Sequence, residues 1–376
     1  MYKNLDIWLP GYMKQRKERK TGGHTGLPVH VMFCIADHFE PCWGFSTRSF
    51  GARSNTIGNK RVETWLERYP IMARRHADSD GKYPQHTFFY PIEEYEPEYL
   101  EKIAKLCRQG LGEVEIQLHH DNDTEYKLRK KIDKGIADFK KHGLLSKDKK
   151  TGETRFGFVH GNWALDNSRK DGRWCGVNNE ISILKEMGCY ADFTLPSTPS
   201  DTQTRKINSI YYAIDDPEKP KSHDTGVDVI VSGSRLPFDK LRVARTLLII
   251  QGPLALNWKR RKFHIFPKIE NAEIAWHNKP TKDRIDLWVE QNICVKGKED
   301  WIFIKAHTHG AQEKNFDSLL GKPMHNMHNY LNAKYNDKVN FKLHYVTARE
   351  MYNIIKAAEA GEKGEPGEYR DYEVIN

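Results

Sequence analysis

Long apolar runs are missing from this chain of 376 residues. None reaches the roughly 18 consecutive apolar residues that a membrane-spanning helix needs. The opening MYKNLDIWLPGYMKQRKERK lacks an apolar core of about 7–15 residues, so no secretory signal is expected. Cysteine is scarce: Cys34, Cys42, Cys107, Cys175, Cys189 and Cys294 are all there are, and none forms a C-x-x-C pair. That excludes a disulfide scaffold. In MFCIAD and QNICVK the thiol sits in an apolar run, where it acts as a small hydrophobe. Zinc-finger spacing, an aromatic–basic RNA-binding signature and a helix-turn-helix pattern are also missing. The expectation is a cytoplasmic chain without a membrane span or a nucleic-acid partner. Its net charge of +9, with Lys and Arg scattered along the sequence, suits an anionic substrate instead.

What is present is an alternation of short strands and amphipathic helices. Strand-like runs are expected at 29–36, 85–91, 113–120, 154–161, 190–196, 227–233, 300–307 and 340–346. Helices are expected at 96–112, which starts at a proline and stops at glycines, at 178–188, and at 347–362, where Thr347 is the N-cap. Such alternation predicts parallel pairing and a distorted (β/α) TIM-like barrel of seven to eight strands. The barrel would span 28–360, after a basic arm over 1–27 and before a polar tail over 361–376. Two stretches fit the period poorly, near 41–84 and 197–290, and are read as insertions over the carboxyl face.

Barrel chemistry sits where the strands end, and here the strand ends collect imidazoles and carboxylates. EIQLHHDND, residues 115–123, alternates Ile116 and Leu118 with Glu115 and Gln117, then presents His119, His120, Asp121 and Asp123. IADHFEP brings Asp37, His38 and Glu40. FVHGNWALDN brings His160, Asn162, Trp163 and Asp166, YADFTLP brings Asp192, and IKAHTHG brings His307 and His309. His120 should face away from His119, because successive strand residues alternate. A divalent cation needs about three ligands from different directions and one open position. His and carboxylate donors suit Zn²⁺ first, and also Fe, Co, Ni or Mn. Glu93, Glu94 and Glu96 read as a solvated loop and helix start, with one of them able to reach the barrel mouth.

In their order these motifs resemble the polysaccharide deacetylase (NodB-like) superfamily, over about residues 28–358. The resemblance implies Asp37 as general base, His38, His119 and Asp123 as metal ligands, and His307 as general acid. His160 and Asn162 would bind the acyl oxygen or a sugar hydroxyl. Trp163 would stack on a sugar face, unless it is core. The sequence departs from the family pattern. His38 replaces an Asp, Asp123 replaces a His, and the Arg-Pro pair of the third motif is absent. Glu40 is an alternative to His38, and His309 a reserve. The implied function is metal-dependent N-deacetylation of a sugar or nucleotide-linked sugar. The alternatives are an amide or glycoside hydrolase of the same superfamily, the latter pairing Asp37 with Asp166 or Asp192, or a degenerate glycan-binding barrel.

Overall fold

The computed structural model describes residues 2–21, 28–44, 52–232 and 244–376. In chain order the strands are β1 (Val29–His38), β2 (His86–Pro91), β3 (Gly112–Leu118), β4 (Ser146–Asp148), β5 (Thr154–His160), β6 (Cys189–Asp192), β7 (Ile210–Ile214), β8 (Val227–Asp228), β9 (Thr246–Ile250), β10 (Ala255–Lys262), β11 (Phe266–Glu270), β12 (Trp301–Thr308), β13 (Phe341–Tyr345) and β14 (Val374–Ile375). The helices used below are α1 (Leu5–Thr21), α2 (Ala52–Ala73), α3 (Pro97–Arg108), α4 (Glu125–Lys140), α5 (Glu180–Glu186), α6 (Lys282–Glu290), α7 (Lys322–Tyr335) and α8 (Ala348–Ala360).

The protein is a mixed α/β structure around one large, mostly parallel sheet. Along β12-β1-β2-β3-β5-β6-β9 every pairing is parallel, and β13 adds a parallel partner to the first half of β1. Those eight strands and the antiparallel β4, β7, β8 and β14 make up its twelve; β10 and β11 form a separate hairpin. The sheet is therefore wider than the seven to eight strands expected from the sequence. Isolated bonds cross the interval from β8 back to β12: Val231 N–H to Lys296 O (2.9 Å), Lys296 N–H to Val229 O (3.0 Å) and Phe303 N–H to Ile293 O (2.8 Å). Among the described residues no ladder fills that interval. The arrangement is compatible with a barrel-like fold.

Period-two alternation sorts the core. Met32, Cys34 and Ala36 of β1 pack with Phe89, Val159, Ala191, Ile250 and Phe303 from other strands. Val31, Phe33 and Ile35 face the opposite way, into a layer with Trp65, Tyr69, Leu100, Ile103, Leu128 and Ile132 of the helices. Both faces are buried, which is why β1 is apolar without alternation from Val31 to Ala36. α8 sends Met351, Ile354, Ile355 and Ala358 into the first cluster, and Thr347 caps it in a reciprocal bond with Glu350. The stretch read as a basic arm forms α1, which buries Trp8 and Tyr12 against Ile207, Leu254 and Ala255. The 41–84 stretch holds α2, and 197–290 holds β7 to β11 and all of α6. The strand expected at 227–233 is only Val227–Asp228, with residue 233 outside the described residues.

Buried neutral histidines give the fold an acid limit. His223 is fully buried, and neither ring nitrogen has a hydrogen-bond partner among the described residues; burial, then Lys221, pushes it down to about 3. Burial and then His344 bring His30 to about 4, and burial and then His76 hold His328 well below the ordinary value. Below about pH 6.5 the unfolded chain binds protons that these rings refuse, so stability falls as pH falls. Burial raises Glu115 to about 8, which acts in the opposite sense between pH 8 and about 4.5. Below about 4.5 the histidine contribution, on the order of 1.4 kcal/mol per pH unit per ring, is joined in the same sense by carboxylates held below the ordinary value, such as Glu180 at about 2. Urea midpoints should change little from pH 8 to 5 and drop steeply from about 4.5 to 3. A midpoint unchanged at pH 3.5 would remove this account.

Candidate metal centre at the carboxyl rim

β1, β3 and β12 end on the same side of the sheet because all three run parallel within it. Alternation carries the face of Cys34 and Ala36 on to His38. On β12 it carries Phe303 on to Lys305, His307 and, past the strand end, His309. Lys305 lies beneath the rim, buried, with its Nζ donating to the carbonyls of Phe193 and Leu195. Burial first, offset in part by Asp192, brings it down to about 8.

Above it three residues converge. One ligand atom each from His38, Glu40 and His309 lies within 4.8 Å of the others, and the His38 and His309 rings are 4.9 Å apart at their centroids. His119 approaches from β3, its Nε2 3.4 Å from Glu40 Oε1. On its other side Nδ1 meets Glu93 Oε1 at 2.5 Å, and the His119 backbone N–H donates to the same oxygen at 3.0 Å. Gln117 Nε2 donates to Glu40 Oε1 at 2.6 Å. His38 and Glu40 are buried, at 2% and 5% exposure, whereas the His119 side chain is 29% exposed. The cluster therefore meets solvent on its His119 side.

Charge follows this geometry. Burial pulls the His38 pKa far down, and His309, His307 and His119 add to the shift. Burial, then Lys305, does the same to His307. For Glu40, burial acts upward but is outweighed by the hydrogen bond from His119 and the field of His309, leaving it below the ordinary value. For His119, burial acts downward but is outweighed by Glu40 and Glu93, which lift it to about 10. The donor chemistry fits a divalent cation of the zinc type: two imidazoles and one carboxylate, with a third imidazole alongside. Among the described residues His38 Nδ1 is buried without a hydrogen-bond partner, an orphan that such a cation would satisfy.

Not every residue assigned by the family pattern lies at this rim. His38 and His119 do, and His307 is on the same strand face, 7% exposed, with its backbone bonded to Ala272 and Ile274. Asp37 is turned away and fully buried; it pairs with His86 Nδ1 at 3.2 Å and accepts the Gly310 N–H at 2.5 Å. Asp123 is to be corrected as a ligand beside His38 and His119. The chain reverses at Asn122 (φ 46°), and Asp123 pairs with His120 Nδ1 at 3.2 Å and Lys131 Nζ at 2.6 Å. His160 is fully buried against His120, with ring centroids 4.7 Å apart. Asn162 and Trp163 are half-buried in the loop that starts at Gly161. Glu40 and His309, the two reserves, belong to the cluster, and Glu93 does reach the mouth. Asp37, Asp166 and Asp192, considered as glycosidase pairs, are all fully buried.

Gly161 lets His119 lie where it does. A Cβ there would stand 2.4 Å from the His119 ring, a clash that displaces the imidazole. Gly161→Ala should leave the fold intact and weaken metal affinity by about 10- to 100-fold. Competitive metal titration checks this, and unchanged affinity would remove His119 from the site.

No protein-family model matches the chain, and no curated protein matches it. No helix among the described residues is long and apolar enough to cross a membrane.

Proposed function

We propose that this protein is a metal-dependent hydrolase of a carbon–nitrogen bond, removing an N-acyl group, acetyl in the first instance, from an amino sugar or nucleotide-linked sugar. The observation that carries it is the meeting of His38, Glu40 and His309, with His119 against Glu40, at the carboxyl ends of parallel strands. His38, Glu40 and His309 would hold the cation, with His119 as a further ligand or as its neighbour. A divalent ion bound there supplies Lewis acidity in a partly dry site. Glu93 accepts the His119 Nδ1 proton and faces the open side, so it is placed to exchange protons with a reacting group. His307, on the β12 face below His309, is held neutral by burial, so to serve as proton donor to a leaving amine it would first take up a proton from the reacting water and then pass it on. Asp37 clamps the β12 end through the Gly310 amide, a positioning role in place of the general base that the family pattern implies. The amide-bond reading also draws on the resemblance described above, and the net charge of +9 suits an anionic sugar substrate.

The test is acetate release from UDP-N-acetylglucosamine and related N-acetyl amino sugars. Protein stripped by chelator is assayed before and after Zn²⁺, Co²⁺, Mn²⁺, Fe²⁺ or Ni²⁺ is returned. Release that depends on the ion supports the reading. Equal release by stripped and reloaded protein excludes a metal hydrolase, and a new reducing end without acetate would make it a glycosidase.

A further inference from the structure

His120, turned away from the rim, takes part in a second cluster. Ligand atoms of His120, His160, Cys175 and Glu180 lie within 4.8 Å of one another, and all four residues are buried. They come from four places: the end of β3, the end of β5, the loop after it and the first residue of α5. His120 Nε2 stands 3.0 Å from Glu180 Oε1, and Cys175 Sγ stands 3.4 Å from Glu180 Oε2. Tetrahedral zinc, with bonds of about 2.0–2.3 Å, holds its ligand atoms roughly 3.3–3.8 Å apart. We propose that His120, His160, Cys175 and Glu180 form a closed structural site for a zinc-type ion, separate from the rim.

Three further observations point to an ion. His160 Nε2 is fully buried without a hydrogen-bond partner among the described residues; its Nδ1 accepts a long 3.3 Å bond from the Ala164 amide, a bond that gives way when an ion on Nε2 shifts the ring proton to Nδ1. A buried ring nitrogen left unpaired is unfavourable, and a cation satisfies it. Asp123 Oδ2 lies 3.2 Å from His120 Nδ1, within reach of the carboxylate-to-imidazole support that orients metal-bound histidines, although Nδ1 makes no aligned hydrogen bond among the described residues. Charge also balances: one thiolate and one carboxylate neutralise a divalent ion, so the buried site carries no net charge, as burial requires. With four protein donors and no solvent access the site is of the structural kind. Its effect would be to tie residues 161–180, including the loop that holds Asn162 and Trp163 beside the rim, to the ends of β3 and β5.

The only cysteine in either cluster is Cys175, which makes the two separable by spectroscopy. The His309→Ala protein, lacking a rim ligand, should keep one zinc per chain through dialysis against EDTA. Expressed with cobalt, it should show a thiolate-to-cobalt charge-transfer band in the near ultraviolet. Cys175→Ser should lose both band and ion, and Cys107→Ser should keep them. Absence of the band from folded protein, or its survival in Cys175→Ser, overturns the proposal. If Cys175→Ser does not fold, X-ray absorption on the zinc-loaded His309→Ala protein decides. One sulfur and three nitrogen or oxygen neighbours support the site, and no sulfur overturns it. The band does not depend on hydrolysis, so it stands or falls apart from the rim activity.

Discussion

Replacing His309 with alanine should abolish ion-dependent hydrolysis, by on the order of 10³-fold or more, while leaving the fold unchanged. His309 supplies one of the three converging donors, and its ring lies against His38. Its backbone carbonyl accepts from Asn315 Nδ2 at 3.0 Å and from the Gln312 amide, bonds that the substitution leaves in place. The ring is half-buried, so truncation opens no sealed cavity, and stability should change by less than about 1 kcal/mol. Glu93→Gln is the graded comparison. It keeps the shape beside His119 but removes the carboxylate, and losing such an outer partner brings about a 10- to 100-fold loss. Turnover and metal content measured on both variants check the order. If His309→Ala kept its activity, or lost less than Glu93→Gln, the three donors would not be holding the ion.

The strand ends were legible because a strand has a period of two. His119 and His120 in EIQLHHDND had to point to opposite faces, and they feed the rim and the buried cluster respectively. The same alternation pairs His38 with Glu40 in DHFE and His307 with His309 in HTH, so Glu40 and His309 were within reach of the reading that held them in reserve. Asp123 was not, because its direction depends on the reversal at Asn122, a local backbone choice that strand periodicity does not carry. Glu93 was legible only as a possibility, since its bond to His119 spans 26 residues of sequence. Val62, Trp65, Tyr69 and Met72 follow helical spacing inside α2. They were masked by the surrounding Arg, Lys and Asn. β9 is five residues, TLLII, four of them apolar, too short to separate from a buried turn of helix by periodicity alone. The resemblance to deacetylases put a base at Asp37, whereas packing gives that carboxylate to His86 and Gly310.

The largest stability effect is expected far from the metal donors, at Arg284 of α6. Its guanidinium is fully buried and all five N–H groups are used. Nε and Nη2 grip Glu270 side on, each at 2.7 Å, while Nη1 and Nη2 also donate to the carbonyls of Asn278, Lys279 and Glu273. Glu270 in turn accepts from Trp288 Nε1 at 2.9 Å and the Ala272 amide at 3.0 Å. Arg284→Ala would leave a buried carboxylate and three carbonyls short of donors, a loss of about 3–5 kcal/mol. Arg284→Lys should recover little, because an ammonium cannot reproduce the planar two-point grip. Removing both charges, in Glu270→Gln with Arg284→Met, should cost less than Arg284→Ala alone, since no uncompensated charge stays inside. The effect should also reach the rim. Glu270 fixes Ala272, and the strip from Ala272 to Ile274 bonds the His307 backbone and Thr308 Oγ1, so whatever folds of Arg284→Ala should hydrolyse more slowly at unchanged metal content. Urea titration of the single and double variants measures the stability terms. A loss below about 1 kcal/mol for Arg284→Ala would mean that solvent already reaches Glu270, and that the β12 end is held by something other than this clamp.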